Sequence, residues 1–169
     1  MQLEPWPRFS PRRLLERLVA GEVDFVVVGG IAAVSHGSAA FTGDLDISYA
    51  RDDDNLDRLG RVLVELGARL RGVTDDVPFV PDGRTLRRTR MLTLETPMGM
   101  LDLLAQPDGA PVYATLRERA GRELVAGVEV LIASLEDLIA MKRAAGRPKD
   151  LVAVEELEAI QRLRRELDA

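Results

Sequence analysis

The chain has 169 residues, 46% hydrophobic and 30% charged, with a net charge of −5. This composition suits one domain with a buried core and argues against wholesale coating of nucleic acid, while leaving room for a local basic patch. There is no cysteine and one histidine, His36, which excludes disulfides, thiolate metal sites, a cysteine nucleophile and a multi-histidine zinc site within this chain.

Ser10-Pro11 reads as an N-cap followed by proline at the first helical position. Leu14, Leu15, Leu18 and Val19 then share one helical face, and Gly21 ends the helix. Asp24 to Val28 is a buried strand that stops at Gly29-Gly30, and Ile31 to His36 is a short helix stopped by Gly37. Leu45 to Tyr49 is the next strand. Asp52-Asp53-Asp54 opens a helix that runs to Leu66, because acids favour the positive helix end, and Gly67 stops it. Val73 to Asp82 reads as a loop with a short strand.

Thr89 to Glu95 and Met100 to Leu104 are strands joined by the turn Thr96-Pro97-Met98-Gly99. Pro111 to Glu118 is a helix, and Leu124 to Ala126 with Val128 to Ile132 forms a hairpin around Gly127. Ser134 caps a helix carrying Leu135, Leu138, Ile139 and Met141, which breaks near Gly146. Pro148 begins the last helix. The hairpins argue against an all-parallel sheet. The expected class is α+β, a mixed sheet flanked by helices with a helical C-terminus. The expected organisation is one domain over 1–169: an N-terminal helix in 1–22, a mixed-sheet core in 23–133 and C-terminal helices in 134–169. The longest apolar run, Phe25 to Val34, contains two glycines and is too short to span a bilayer. MQLEPWPRFSPRR shows no signal-peptide pattern, so the expectation is a cytoplasmic protein with no membrane partner.

Side chains alternate along a strand, so Asp44 and Asp46 point to one face while Leu45 and Ile47 point into the core. Their backbones lie about 6.6 to 6.8 Å apart. Two carboxylates at that spacing grip one divalent ion and help hold a second about 3.5 to 4 Å away. Magnesium suits such oxygen ligands and keeps substrate phosphates in its shell. The alternative is a surface strand with solvated acids. Two features favour the metal. Gly29-Gly30 allows a tight turn and close backbone approach, and free N–H groups at the helix start can receive a phosphate. Asp102 sits inside Met100-Leu101-Asp102-Leu103-Leu104, where a charge is costly unless paired or metal-bound. If that strand lies beside Leu45 to Tyr49, Asp102 completes a three-carboxylate cluster.

Val28-Gly29-Gly30, a spacer through Gly43, Asp44-Leu45-Asp46 and the later Asp102 resemble the nucleotidyltransferase superfamily that includes DNA polymerase β. Within it the chain looks most like the AbiEii-type branch, small prokaryotic proteins several of which are toxins paired with an antitoxin. The resemblance covers roughly Phe25 to Leu157, including Leu135-Glu136-Asp137-Leu138-Ile139-Ala140-Met141-Lys142 and Arg147-Pro148-Lys149-Asp150-Leu151. One departure is Ala40, where many relatives have an arginine two residues before the threonine, here Thr42.

The resemblance implies transfer of a nucleoside monophosphate from a nucleoside triphosphate to an acceptor, with release of pyrophosphate. Asp44, Asp46 and Asp102 would hold Mg2+ or Mn2+, with Asp102 also a candidate base. Gly29, Gly30, Thr42 and Lys142 would contact the nucleotide. RNA (transfer RNA especially), a protein hydroxyl and a small molecule such as an antibiotic are open as acceptors, and a cognate antitoxin is an implied partner. A non-catalytic nucleotide- or partner-binding module of the same fold is the rival reading. His36 reads as structural or nucleotide-contacting, and Asp150 as a helix-start stabiliser or part of the site. Arg84, Arg87, Arg88 and Arg90 read as a solvated strand edge or a phosphate-binding patch.

Overall fold

In a computed structural model, residues 8–74 and 78–169 are described. Helix α1, Pro11–Ala20, begins where expected: the Ser10 hydroxyl accepts from the Arg13 amide, and Leu14, Leu15 and Leu18 are buried. Strand β1, Phe25–Val28, is buried at every position. Helix α2, Gly29–Ser35, starts on the glycines themselves rather than at Ile31. Strand β2 is Asp44–Tyr49, and helix α3, Asp53–Glu65, is capped by Asp52, whose carboxylate accepts from the Asn55 amide.

The middle of the chain departs from the sequence expectation. A two-residue strand β3, Arg69–Leu70, follows Gly67. The short strand expected in Val73 to Asp82 is absent from the described part of that segment, and 75–77 lie outside the described residues. A helix α4, Gly83–Arg88, occupies the basic stretch read as a strand edge, because Asp82 caps it by accepting from the Thr85 amide. Strand β4, Met91–Thr96, therefore starts two residues later than Thr89. Strand β5, Gly99–Leu104, helix α5, Tyr113–Arg119, and strands β6, Gly121–Val125, and β7, Val128–Ile132, follow. Helix α6, Leu135–Ala145, is capped by Ser134 and ends at Gly146, whose φ of 65° is left-handed; helix α7, Pro148–Leu167, closes the chain.

The strands form one seven-stranded mixed sheet in the order β3-β4-β5-β2-β1-β7-β6. β5 runs parallel to β2, and β7 parallel to β1; the remaining neighbours are antiparallel. Leu45, Ile47, Leu101 and Leu103 are fully buried on the core face, as strand alternation requires. α1 packs on β7, β2 and α3, while α2 packs on β1, β2 and α6, and α6 on α7. Asn55 joins the start of β1 to the end of β2. It is fully buried, accepts from the Asp24 amide at 2.7 Å, and donates to the carbonyls of Asp24 at 3.0 Å and Ala50 at 2.7 Å. No helix among the described residues is long and apolar enough to cross a membrane.

Candidate active site

The parallel register of β2 and β5 sets Asp46 directly against Asp102, and Asp44 against Met100. Paired residues in a sheet share a face, and neighbouring strands lie about 4.8 Å apart. The three carboxylates are thereby collected, each offering an oxygen within 4.8 Å of the others. Burial, then the charges of Asp44 and Asp102, push Asp46 from its ordinary 3.8 up to about 7, against the pull of Lys142. Asp102 is also raised, chiefly by burial, with Arg71 opposing and Asp44 adding to the rise.

The glycine pair acts first as spacing. A Cβ on Gly29 would lie 2.0 Å from Asp46 Oδ2, and Gly29 holds φ at +66°. A Cβ on Gly30 would lie 2.6 Å from Thr42 Oγ1. The Thr42 hydroxyl in turn lies 3.2 Å from the Asp44 carbonyl and 3.3 Å from Asp44 Oδ1. Gly29, Gly30, Thr42, Asp44, Asp46 and Asp102 therefore converge on one region.

Lys142 reaches the same region from α6. Its ammonium is 3.3 Å from Asp150 Oδ1, and its charge is felt by Asp46. Asp150 is fully buried at the third position of α7. Its carboxylate accepts from the Arg147 guanidinium at 2.6 and 3.2 Å and from the Arg147 amide at 3.3 Å. The Arg147 hydrogen bond, with Lys142 assisting and burial opposing, holds Asp150 below the usual carboxylate range. Asp150 thus both stabilises the helix start and anchors Lys142.

His36 matches its structural reading, and the basic segment falls away from the acids. The His36 ring spends both nitrogens structurally: Nε2 lies 2.8 Å from the Ala133 carbonyl and Nδ1 3.1 Å from Arg164, so the partners select the tautomer with hydrogen on Nε2. The basic helix α4 lies beyond the far end of β2: Arg87 pairs with Asp53, and Arg51 donates to the Arg87 carbonyl. Asp46 and Tyr49 alone are separated by about 10 Å of strand.

Sequence reasoning missed Arg71, which binds Asp102 Oδ1 at 2.7 Å. Nothing in its sequence neighbourhood signals that contact. At Ala40, where an arginine is absent, the loop is instead pinned from α7: Glu156 accepts from the Ser38 hydroxyl and the Ala39 amide, each at 2.8 Å. The neighbouring Phe41 is 96% exposed.

No protein-family model matches the chain, and no curated protein sequence matches it. Solved structures do. The chain is similar to the lincosamide antibiotic adenylyltransferase LnuA, solved with lincomycin bound, at 14% identity over 90% of this chain and 99% of that one, with a TM-score of 0.61. It is similar to ANT(2")-Ia in complex with adenylyl-2"-tobramycin, at 17% identity over 92% and 95%, with a TM-score of 0.52. A third likeness is an antigenic nucleotidyltransferase-like protein from Paracoccidioides brasiliensis, at 18% identity over 89% and 73%, with a TM-score of 0.50. The chain has a nucleotidyltransferase-like fold, as the glycine pair and the spaced aspartates led one to expect.

Proposed function

We propose that this chain is a metal-dependent nucleotidyltransferase that moves a nucleoside monophosphate from a nucleoside triphosphate to an acceptor hydroxyl. The observation that carries the reading is the β2–β5 register, which sets Asp46 against Asp102 with Asp44 in the same cluster. The donor set fits a hard divalent cation: carboxylate oxygens only, with the missing Cβ of Gly29 leaving room for Asp46. Asp44, Asp46 and Asp102 would hold Mg2+ or Mn2+, which when bound supplies charge neutralisation for the triphosphate.

The chain's own groups do the rest. Lys142, held by Asp150, offers a point charge to phosphate oxygens. Gly29 and Gly30 keep the backbone approachable, and Thr42 contacts the nucleotide beside Asp44. Asp102 receives the acceptor hydroxyl's proton as the new oxygen–phosphorus bond forms and the bond to pyrophosphate breaks.

The AbiEii-type resemblance favours RNA or a protein hydroxyl as the acceptor and a cognate antitoxin as partner, a preference that rests on analogy with that branch. A second reading, an antibiotic hydroxyl as acceptor, is favoured by the near full-length likeness to LnuA and ANT(2")-Ia. The test is incubation with α-labelled triphosphates and Mg2+, first with cell lysate and then with a panel of lincosamides and aminoglycosides. Labelled RNA or protein supports the first acceptor class, and a labelled antibiotic supports the second. Triphosphate binding with no labelled product under any condition would leave a non-catalytic binding module.

A further inference from the structure

Arg71 lies one residue past β3, and its backbone amide donates to the Thr93 carbonyl at 3.0 Å, continuing the ladder with β4. Thr93 pairs with Asp102, and Asp102 with Asp46. Arg71, Thr93, Asp102 and Asp46 therefore form a row across four neighbouring strand paths. Threonine is the small member of that row, and the arginine stem is long enough to reach past it. The Arg71 guanidinium donates from one nitrogen, Nη2, to Asp102 Oδ1 at 2.7 Å and to the Leu94 carbonyl at 3.2 Å. Its Nε is buried with no hydrogen-bond partner among the described residues. The pair is shielded, with Arg71 28% and Asp102 12% exposed at the side chain. The guanidinium thus brings a positive charge to Asp102 along with its hydrogen bonds.

We propose that Arg71 is a charge lock: it prevents the Asp44–Asp46–Asp102 cluster from holding a divalent cation alone and makes metal binding conditional on the triphosphate. The inference rests on the nucleotidyltransferase reading. Arg71 neutralises one of the three carboxylates and repels a second cation at the same cluster. An anionic triphosphate reverses the balance, because its phosphates attract both Arg71 and the metal. Metal and nucleotide then favour each other's binding, and this coupling is reciprocal. Arg71 acts through Asp102 and the charge of the site, so it is a positioning residue.

The test is direct Mn2+ binding, read from the electron paramagnetic resonance of the free ion, with and without α,β-methylene-ATP. It compares the parent with Arg71→Gln and Arg71→Lys at one pH and ionic strength. Circular dichroism checks folding; if Arg71→Gln does not fold, Arg71→Met, which keeps the apolar bulk of the stem, takes its place. The expected result is that the neutral variant binds Mn2+ alone at least about tenfold tighter. The gain in Mn2+ affinity from the nucleotide analogue should shrink to match, while Arg71→Lys stays near the parent. A folded neutral variant with equal or weaker Mn2+ affinity overturns the lock. A parent that binds none of the α,β-methylene analogues of the four ribonucleoside triphosphates at any Mn2+ concentration refutes the nucleotidyltransferase reading instead, and the Mn2+-only comparison still decides whether Arg71 opposes the cation.

Discussion

Replacing Asp46 with asparagine should make the metal-free protein more stable at neutral pH and remove a defined part of its pH dependence. In the folded chain Asp46 is pushed up to about 7, from an ordinary 3.8, because it is half-buried beside Asp44 and Asp102. The folded state therefore binds this proton more tightly than the unfolded state. Where the folded state holds more protons, stability falls as pH rises. The contribution of neutral Asp46 is fully present below pH 3.8, and is lost as pH rises towards and through about 7. Each pH unit in that window is worth about 1.4 kcal/mol, so about 2 to 3 kcal/mol disappears between pH 5 and pH 8. Asparagine at this position has no proton to lose, and its amide can still donate to a neighbouring carboxylate. The assay is urea unfolding from pH 5 to pH 8 with EDTA, parent against Asp46→Asn, so that titrations of groups away from the acidic cluster cancel in the difference. The variant's advantage should grow by about 2 to 3 kcal/mol across the range, or roughly 5 to 10 °C in Tm for a domain of this size. Mg2+ should flatten the parent's slope and leave the variant's unchanged, and the variant should be inactive in transfer. Parallel stability curves would refute the claim that Asp46 sits in a half-buried, like-charged site.

Asp102→Asn should still bind Mg2+-triphosphate yet transfer at least about a hundredfold more slowly in single-turnover assays, the lower end of general-base contributions. Gly29→Ala places a Cβ 2.0 Å from Asp46 Oδ2 at a φ of +66°, so it should lower stability by about 1 to 3 kcal/mol in urea and weaken Mn2+ binding. Asn55→Ala leaves the Asp24 amide and the carbonyls of Asp24 and Ala50 without their partner. Its cost should be about 2 to 4 kcal/mol in a urea titration, with little change in nucleotide affinity if the fold survives. Replacing Arg84, Arg87 and Arg88 together with Ala should weaken RNA binding and flatten its salt dependence if α4 carries an acceptor. Triphosphate binding should be unaffected, and an unchanged salt slope would return α4 to ordinary surface.

Apart from Lys142 on α6, which the family resemblance supplied, the parts of the site read from sequence lie in strands or at strand ends. Period-two alternation assigns Asp44 and Asp46 to one face, and the apolar neighbours of Asp102 declare its strand. The open step was whether β5 lies beside β2, and that depends on long-range pairing. The register Asp46↔Asp102 answers it. The glycine pair was legible as a turn, but its geometric reason was not: Gly29 and Gly30 clear space for Asp46 and Thr42, residues twelve or more positions away. The basic stretch failed for a local reason. Four arginines between Arg84 and Arg90 look like an edge strand until Asp82 is recognised as an N-cap three residues before Thr85.

Counter-charges are harder to read than carboxylates, and here they govern the behaviour of the site. Arg71 reaches Asp102 from 31 positions away, and Lys142 influences Asp46 from a helix whose own contacts run to α7. Long cationic side chains choose partners by reach rather than by periodicity, so no spacing rule marks them. Arg71 pairs with one of the three acids and Lys142 lowers the rise of another, so the cations offset part of the cluster's negative charge. Lys142 is itself held by a buried Asp150 that Arg147 helps keep charged. Lys142 is therefore fixed in place by a buried acid, and Arg71 is fixed by the sheet through the Thr93 and Leu94 carbonyls. In the proposed reading, each anionic oxygen of a triphosphate would meet a cation already oriented by the fold. In that reading the carboxylates would hold the metal, and Arg71, Lys142 and Arg147 would set the charge against which they hold it.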